Sequence, residues 1–561
     1  MQEQEGGEAA RRHYETALQL LDGQADDLQP AALGLVVGQL ETAAAGGHAD
    51  AECLLGLCRE YGLGGAAPDV VAAEALYQRA HARGHAAAPF HLGLLYSGRN
   101  WAQAQALVSQ AGERGHTRAR YWGVPQPAEF VPFGLAIEAP VLALARLGAQ
   151  RGAPGALFYL AALLDKGVGL RRDEAAALEY YRRAAAGDQV DAQFNLGVCF
   201  ALGLGVAPDA AQALHFYGLA AARAYAPAQF NLGVCLQHGT GTAPDPVGAV
   251  RLYRAAAAQG HTDALNNLGA CYKRGLGVAA DEAEATRLFR AAAELGDARA
   301  QCNYAVALQL GEGVAADTAQ AVEWLRRSAA QGDEEALCNL GVCFEKGTGV
   351  AADSTEAVRY YRLAAARGCL PATYNLGACY ENGRGVARDP AEARRLYWVA
   401  AKGGLALAQF NLGYCLLHGV GGAVDPAEGL AWYRRAADQG SADAQNNLGV
   451  AYKMGTGVAR DDREAMAWYR RAAEHHHPRA MYNLGVGLRL GEGAARDVSE
   501  ALAWFTRAAA AGDAQATEAA AQLEQHLAAW HTRTLVLVLA MRRRQRRLPV
   551  EILQMVCNDY V

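Results

Sequence analysis

Along one stretch of this chain, small and apolar residues fall at the spacing of a single helical face. Ala192, Asn195, Leu196, Cys199 and Phe200 stand at i, i+3, i+4, i+7 and i+8. The stripe stops at Gly203-Leu204-Gly205, and glycine takes the left-handed backbone angles that end a helix at no steric cost. After Asp209 a second stripe runs through Ala213, Tyr217, Ala220 and Ala221. An aspartate just ahead of such a stripe is a helix N-cap, its carboxylate accepting from amides of the first turn. The pattern predicts two helices joined by a glycine turn.

That pattern returns without slippage. A small residue recurs every 36 residues at Ala161, Gly197, Gly233, Gly269, Ala305, Gly341, Gly377, Gly413, Gly449 and Gly485, and Gly56 and Gly93 belong to earlier, less regular copies. The N-cap acids are Asp173, Asp209, Asp245, Asp281, Asp317, Asp353, Asp389, Asp425, Asp461 and Asp497; eight of these ten have Glu or Gln three residues on, the spacing of a capping box. Pro246, Pro390 and Pro426 take the first helical position, where a missing N–H costs nothing. Helix pairs repeated at a short fixed period stack on their neighbours, so the expected fold is an all-α solenoid of about a dozen antiparallel helix pairs. A dinucleotide loop needs a strand before its glycines and a third glycine opening a helix. These loops follow helices and have neither. They are punctuation.

The unit A-x-x-N-L-G-x-x-Y-x-x-G-x-G-V-x-x-D, seen from Ala372 to Asp389 and from Ala444 to Asp461, resembles the Sel1-like repeat, a relative of the tetratricopeptide repeats. The resemblance is good from Ala156 to about Gly512 and weaker back to Ala51; it departs at Ala161, Ala305 and Tyr304 and is lost around Tyr121 to Val141. It implies a right-handed superhelix of helix pairs, with first helices lining a concave surface, and scaffold or adaptor work on protein or peptide partners. The chain divides accordingly into an N-terminal cap with irregular repeats (1–120), a degenerate repeat or connector expected to separate two solenoid blocks (121–155), ten regular repeats (156–512), a capping helix (513–540) and a basic segment with a short tail (541–561).

Composition narrows the partners. A net charge of -6 over 561 residues argues against general nucleic-acid binding. The polar start "MQEQEGGEAARRHYE" shows no secretory signal, and "LVLVLAM" (Leu535 to Met541) is too short to span a bilayer. No membrane association is expected, and a cytoplasmic location is, with a nuclear one open through the basic run 541–547. Twelve cysteines without a signal read as reduced thiols. Seven of them (Cys58, Cys199, Cys235, Cys271, Cys343, Cys379, Cys415) stand two residues after the repeat's small residue, as small buried apolar side chains. A disulfide framework would need two per unit.

Candidate chemistry is sparse. "EHHHP" (Glu474 to Pro478) invites a metal site, but consecutive histidines in a turn do not converge on one ion as i, i+4 pairs do. No Ser-x-x-Lys and no nucleophile–base pair stands outside the repeat pattern. A hydrolase or other enzyme built on the repeats is therefore the lesser alternative; no catalytic residue, cofactor or metal is expected.

What needs explaining is an asparagine column at Asn195, Asn231, Asn267, Asn303, Asn339, Asn375, Asn411, Asn447 and Asn483. Asparagine is a poor helix-interior residue because its amide competes with the backbone. It either bonds the backbone of the neighbouring unit or forms a ladder of amides holding an extended peptide in the groove. A longer period overlies the first: "DALNNLGACYKRGLGVAADEAEA" at Asp263 matches "DAQNNLGVAYKMGTGVARDDREA" at Asp443, 180 residues on, so five units were duplicated. The block carries paired candidates for a groove surface, Phe230/Phe410, His238/His418, Asn266/Asn446 and Lys273/Lys453. Beyond "MRRRQRR", the segment from Leu548 resembles the opening of an F-box, which implies an alternative role as a substrate receptor linked to a ubiquitin-ligase adaptor through this tail.

Overall fold

The structure is a computed structural model that describes residues 2–22, 30–97, 100–114 and 139–543. Among these residues it holds twenty-eight α-helices, from Gln2–Asp22 to Ala514–Arg543, and no strand. The chain forms two compact units, Met1–Ala316 and Asp317–Val561. Each is a stack of antiparallel helix pairs. The F-box-like tail and most of the connector expected around 121–155 lie outside the described residues.

Within a pair the two helices meet at the glycine. A Cβ placed on Gly56, Gly197, Gly233, Gly269, Gly341, Gly377, Gly413, Gly449 or Gly485 would fall within 2.8 Å of a ring carbon of the aromatic residue on the second helix. Those rings belong to Tyr77, Tyr217, Tyr253, Phe289, Tyr361, Tyr397, Tyr433, Tyr469 and Phe505, all buried. The aromatic takes the volume that the glycine vacates, so interlocking shape holds each pair.

Each turn is built from the same three devices. First helices such as Val190–Leu202 end on a left-handed glycine, here Gly203 at φ 76°. The acid then caps the second helix: Asp209 Oδ1 accepts from the Gln212 amide at 3.0 Å, and Asp461 Oδ1 from the Glu464 amide at 3.0 Å. The glutamate arm of the expected capping box does not reach back. The N-cap amide instead donates to a carbonyl of the preceding helix, Asp209 to Phe200 at 2.8 Å and Asp461 to Tyr452 at 3.0 Å. The freed glutamates bond along their own helices, Glu284 to Arg287, Glu356 to Arg359 and Glu392 to Arg395.

The second glycine of each turn joins one pair to the previous one. A Cβ on Gly277, Gly313, Gly385 or Gly421 would run into the carbonyl of Pro246, Glu282, Ser354 or Pro390, each the first residue of the preceding second helix. At the C-terminus Ala516, Ala519, Ala520 and Leu523 of the last helix join the core of the final pair around Phe505.

The first unit also carries a long-range polar tie. Asp191, 2% exposed, accepts from Ser97 Oγ at 2.7 Å and Tyr225 OH at 3.0 Å. Burial raises its carboxyl to about 6, against both hydrogen bonds, which lower it. The folded state therefore holds this proton more tightly than the unfolded chain, and its contribution to stability falls as pH rises from about 4 to about 6. Asp191→Asn is expected to flatten that part of the stability–pH profile, followed by urea unfolding across this range. An unchanged slope would disprove the assignment.

Two glycine substitutions separate the two kinds of contact. Gly269→Ala gains up to about 1 kcal/mol of helix propensity, but its methyl would meet Phe289 Cε1 at 2.7 Å and the Ala285 carbonyl oxygen at 3.1 Å. A net loss of about 1–3 kcal/mol is expected. Phe289→Leu on the same chain should recover part of it, since Ala305 stands in register with Leu325. Gly385→Ala meets backbone at φ 67° and should lose at least as much, with no side-chain change to relieve it. Urea unfolding of the three variants reads both outcomes.

Candidate partner-binding face

The nine asparagines all lie half-buried on first helices. Their amides reach side chains of neighbouring elements more than backbone. Asn303 donates to Asn266 Oδ1 at 2.8 Å and Asn483 to Asn446 Oδ1 at 3.1 Å, each in the preceding repeat. Asn411 donates to Tyr374 OH at 3.2 Å and Asn447 to Tyr433 OH at 3.3 Å. Asn231 and Asn267 hydrogen-bond Tyr217 and Tyr253, Asn375 approaches Cys338 Sγ at 4.0 Å, and Asn195 donates to the Asp191 carbonyl of its own helix at 2.8 Å. Asn339 has partners as well.

The duplicated residues divide into two classes. Asn266 and Asn446 are buried and serve as the acceptors just named. Phe230 stacks on His261 with centroids 5.0 Å apart and Phe410 on Tyr433 at 5.3 Å. Lys273 pairs with Glu312 at 2.6 Å, and Lys453 pairs with Glu492 and with Asp462 at 3.2 Å. Gln259 to Gln229 at 2.9 Å is repeated as Gln439 to Gln409 at 2.8 Å, a pair that the sequence pattern did not single out. What the two blocks share most faithfully is the chemistry that joins repeat to repeat. The lysines are thus not isolated surface charges, because each clasps an acid in the next turn. His238 and His418, at the ends of their first helices, are exposed, as is Lys273 despite its ion pair.

The remaining chemistry is structural. Among the described residues no three His, Cys, Asp or Glu side chains are grouped to hold a metal ion. In the histidine run His476 takes the left-handed position at φ 59°, and His477 caps the next helix, accepting from the Ala480 amide at 3.1 Å. Burial pushes the Cys58 and Cys199 thiols up to about 12 and those of Cys379 and Cys415 up to about 11. They are protonated apolar filling at neutral pH.

The comparisons agree with this architecture. The Sel1 repeat model matches residues 49–85, 154–188, 190–225, 226–261, 262–297, 298–333, 334–369, 370–405, 406–441, 442–477 and 478–513. The chain belongs to the Sel1 repeat family. Among solved structures, a protective antigen of uropathogenic Escherichia coli strains displaying an SLR fold is 27% identical, with TM-score 0.56, over 91% of this chain and 98% of that one. A Sel1 repeat protein from Oxalobacter formigenes is 29% identical with TM-score 0.44, over 55% of this chain and 90% of that one. An immunity protein from Pseudomonas aeruginosa is 22% identical with TM-score 0.30, over 38% and 81%. No curated protein matches the chain. Sel1 repeat proteins are in general protein-interaction modules, and no described helix is long and apolar enough to cross a membrane.

Some of the differences between the duplicated Sel1 blocks lie on the exposed part of the first helices. Tyr414 (43% exposed), Val450 (37%) and Met454 (72%) stand 180 residues after Val234, Ala270 and Arg274. Tyr414 also leans on His418, ring centroids 4.4 Å apart. Sequence pattern alone does not single out these positions. In the column of Tyr414, valine recurs at Val198, Val234, Val306, Val342, Val450 and Val486, and the spacing does not tell which copy is exposed.

Two substitutions test the inter-repeat role of the lysine and asparagine columns. Lys453→Glu places a third acid beside Asp462 and Glu492 and is expected to lower stability by about 1 kcal/mol, less at high salt. The swap Lys453→Glu with Glu492→Lys should restore most of it. Asn447→Ala should cost about 1 kcal/mol for the lost bond to Tyr433. Thermal unfolding at two ionic strengths checks all three, and a swap no better than the single change would remove the ion pair from the account.

Proposed function

We propose that this Sel1 repeat chain is a non-catalytic adaptor that takes up protein segments on the face of its first helices. In the second unit the contact surface is built around Tyr414, His418, Val450 and Met454. The observation that supports this reading is the neighbouring set of exposed apolar side chains on successive first helices, at positions where the duplicated block carries smaller or charged residues. Apolar side chains gathered on a surface mark interaction sites, and aromatic anchors with apolar neighbours supply most of the energy at such contacts. The asparagine and lysine columns act behind this surface by fixing the spacing of the helices that display it. The partner we infer is a protein segment that offers apolar side chains, with polar contacts to His418 at the edge.

Site-specific crosslinking in the native cell tests this face directly. A photo-crosslinking amino acid at position 414 or 450 is expected to capture the same protein. The same group at position 363, where Leu363 is 38% exposed on a second helix, should not. Tyr414→Ser and Met454→Ser should reduce capture from position 450 at least tenfold, while the thermal midpoint stays within the range of ordinary surface substitutions. Equal capture at 363 and 414, or none at 414 and 450, would exclude this face.

A further inference from the structure

One repeat carries two sulfurs at a register where two earlier repeats carry two rings. Phe194 meets Tyr225 with centroids 5.4 Å apart, and in the next repeat Phe230 stacks on His261 at 5.0 Å. Each pair joins the fifth residue of a first helix to the N-cap of the following first helix, 31 residues later. In the repeat 334–369 these two places are taken by Cys338 and Cys369. The thiols hydrogen-bond each other, and each is 7% exposed. The register that brings two rings together in the repeats of Phe194 and Phe230 thus places two sulfurs side by side here.

The surroundings of the pair favour thiolate chemistry. Cys369 stands at the mouth of the helix Leu370–Asn382, where first-turn amides and the helix dipole stabilise negative charge. The Cys338 thiol lowers the Cys369 thiol to about 7, against burial and the charges of Glu334 and Glu335. This is opposite to Cys58, Cys199, Cys379 and Cys415, which burial drives upward. The Asn375 amide, 4.0 Å from Cys338 Sγ, supplies a further donor beside the pair.

We propose that Cys338 and Cys369 form a peroxide-reactive dithiol site that closes into a disulfide between one first helix and the cap of the next. The Cys369 thiolate attacks one oxygen of hydrogen peroxide, the O–O bond breaks, and the departing hydroxide takes up a proton as water. Cys338 sulfur then attacks the Cys369 sulfenic acid sulfur. The S–O bond breaks and hydroxide leaves as a second water with the Cys338 proton. Two thiols lose two electrons and one peroxide becomes two waters. A dithiol reductant reverses the bond by exchange, becoming a disulfide itself. The closed form staples the helix Glu334–Lys346 to the start of Leu370–Asn382 and so stiffens the second unit between these repeats.

The test uses the full chain. It is treated with hydrogen peroxide, its remaining thiols are alkylated, and it is digested without reduction. Mass spectrometry is expected to find a peptide pair joined through Cys338 and Cys369, two hydrogens lighter than the separate peptides, before any other cysteine reacts. Dithiothreitol should remove the link. Cys369→Ser places at this N-cap a side chain that caps in another repeat, as Ser441 does, and should abolish the link while circular dichroism stays unchanged. Cys338→Ala should leave a sulfenic acid on Cys369 that dimedone traps. Iodoacetamide should modify Cys369 at least tenfold faster than Cys379 at neutral pH. A first link through other cysteines, or Cys369 and Cys379 alkylated at equal rates, would overturn the proposal; wild-type mapping decides it even if a variant fails to fold.

Discussion

Everything in each unit depends on a glycine facing an aromatic ring across a helix pair. Gly341 lies under Tyr361 and Gly377 under Tyr397, with no room for a methyl group. That fit sets how closely the two helices approach, and with it the depth at which the rest of the second helix sits. The tyrosine hydroxyl then finds an acceptor one turn on, Tyr361 on Glu345 at 2.7 Å and Tyr397 on Glu381 at 2.6 Å. A buried phenol needs such a partner, so a single ring supplies both the shape and the polar register of the pair.

From that fit the stacking follows. Glu345 accepts from Arg384 of the next turn at 2.8 Å, as Lys273 pairs forward to Glu312 and Lys453 to Glu492. Charge is exchanged between the two sides of the same contact while its geometry is kept. Duplication of five repeats therefore copied a set of joints, and residues shared by both blocks serve mainly as joints. The copies also differ at exposed positions, at Tyr414, Val450 and Met454. The pair Cys338/Cys369 is a second local departure, written into a contact that is aromatic in the repeats of Phe194 and Phe230.

Much of this was legible from residue order alone. The 36-residue period, the helix pairs, the terminating glycines and the aspartate caps rest on local backbone preference and helical spacing, which act over a few residues and leave a visible trace. Family membership followed from the same columns. Glutamates three residues after a cap carry the spacing of a capping box, yet the side chains of Glu284, Glu356 and Glu392 went to arginines. Those of Glu428 and Glu500 accept from tryptophans, while cap amides such as that of Asp461 found a carbonyl in the preceding helix. Such a competition between a local and a non-local acceptor leaves no mark on the spacing.

Only the tertiary structure decided which repeated polar residues face outward. Asn266 and Asn446 sit on first helices beside the asparagine column, as surface candidates would, but they are buried acceptors for Asn303 and Asn483. Lys273 and Lys453 read as open charges, but their acids arrive from 39 residues away. Stacking alone brings those partners together, since the distance between repeats is set by packed rings and close glycine contacts rather than by anything local to the lysine or the asparagine. For the same reason Cys338 and Cys369, 31 residues apart, become neighbours only once the helices are stacked.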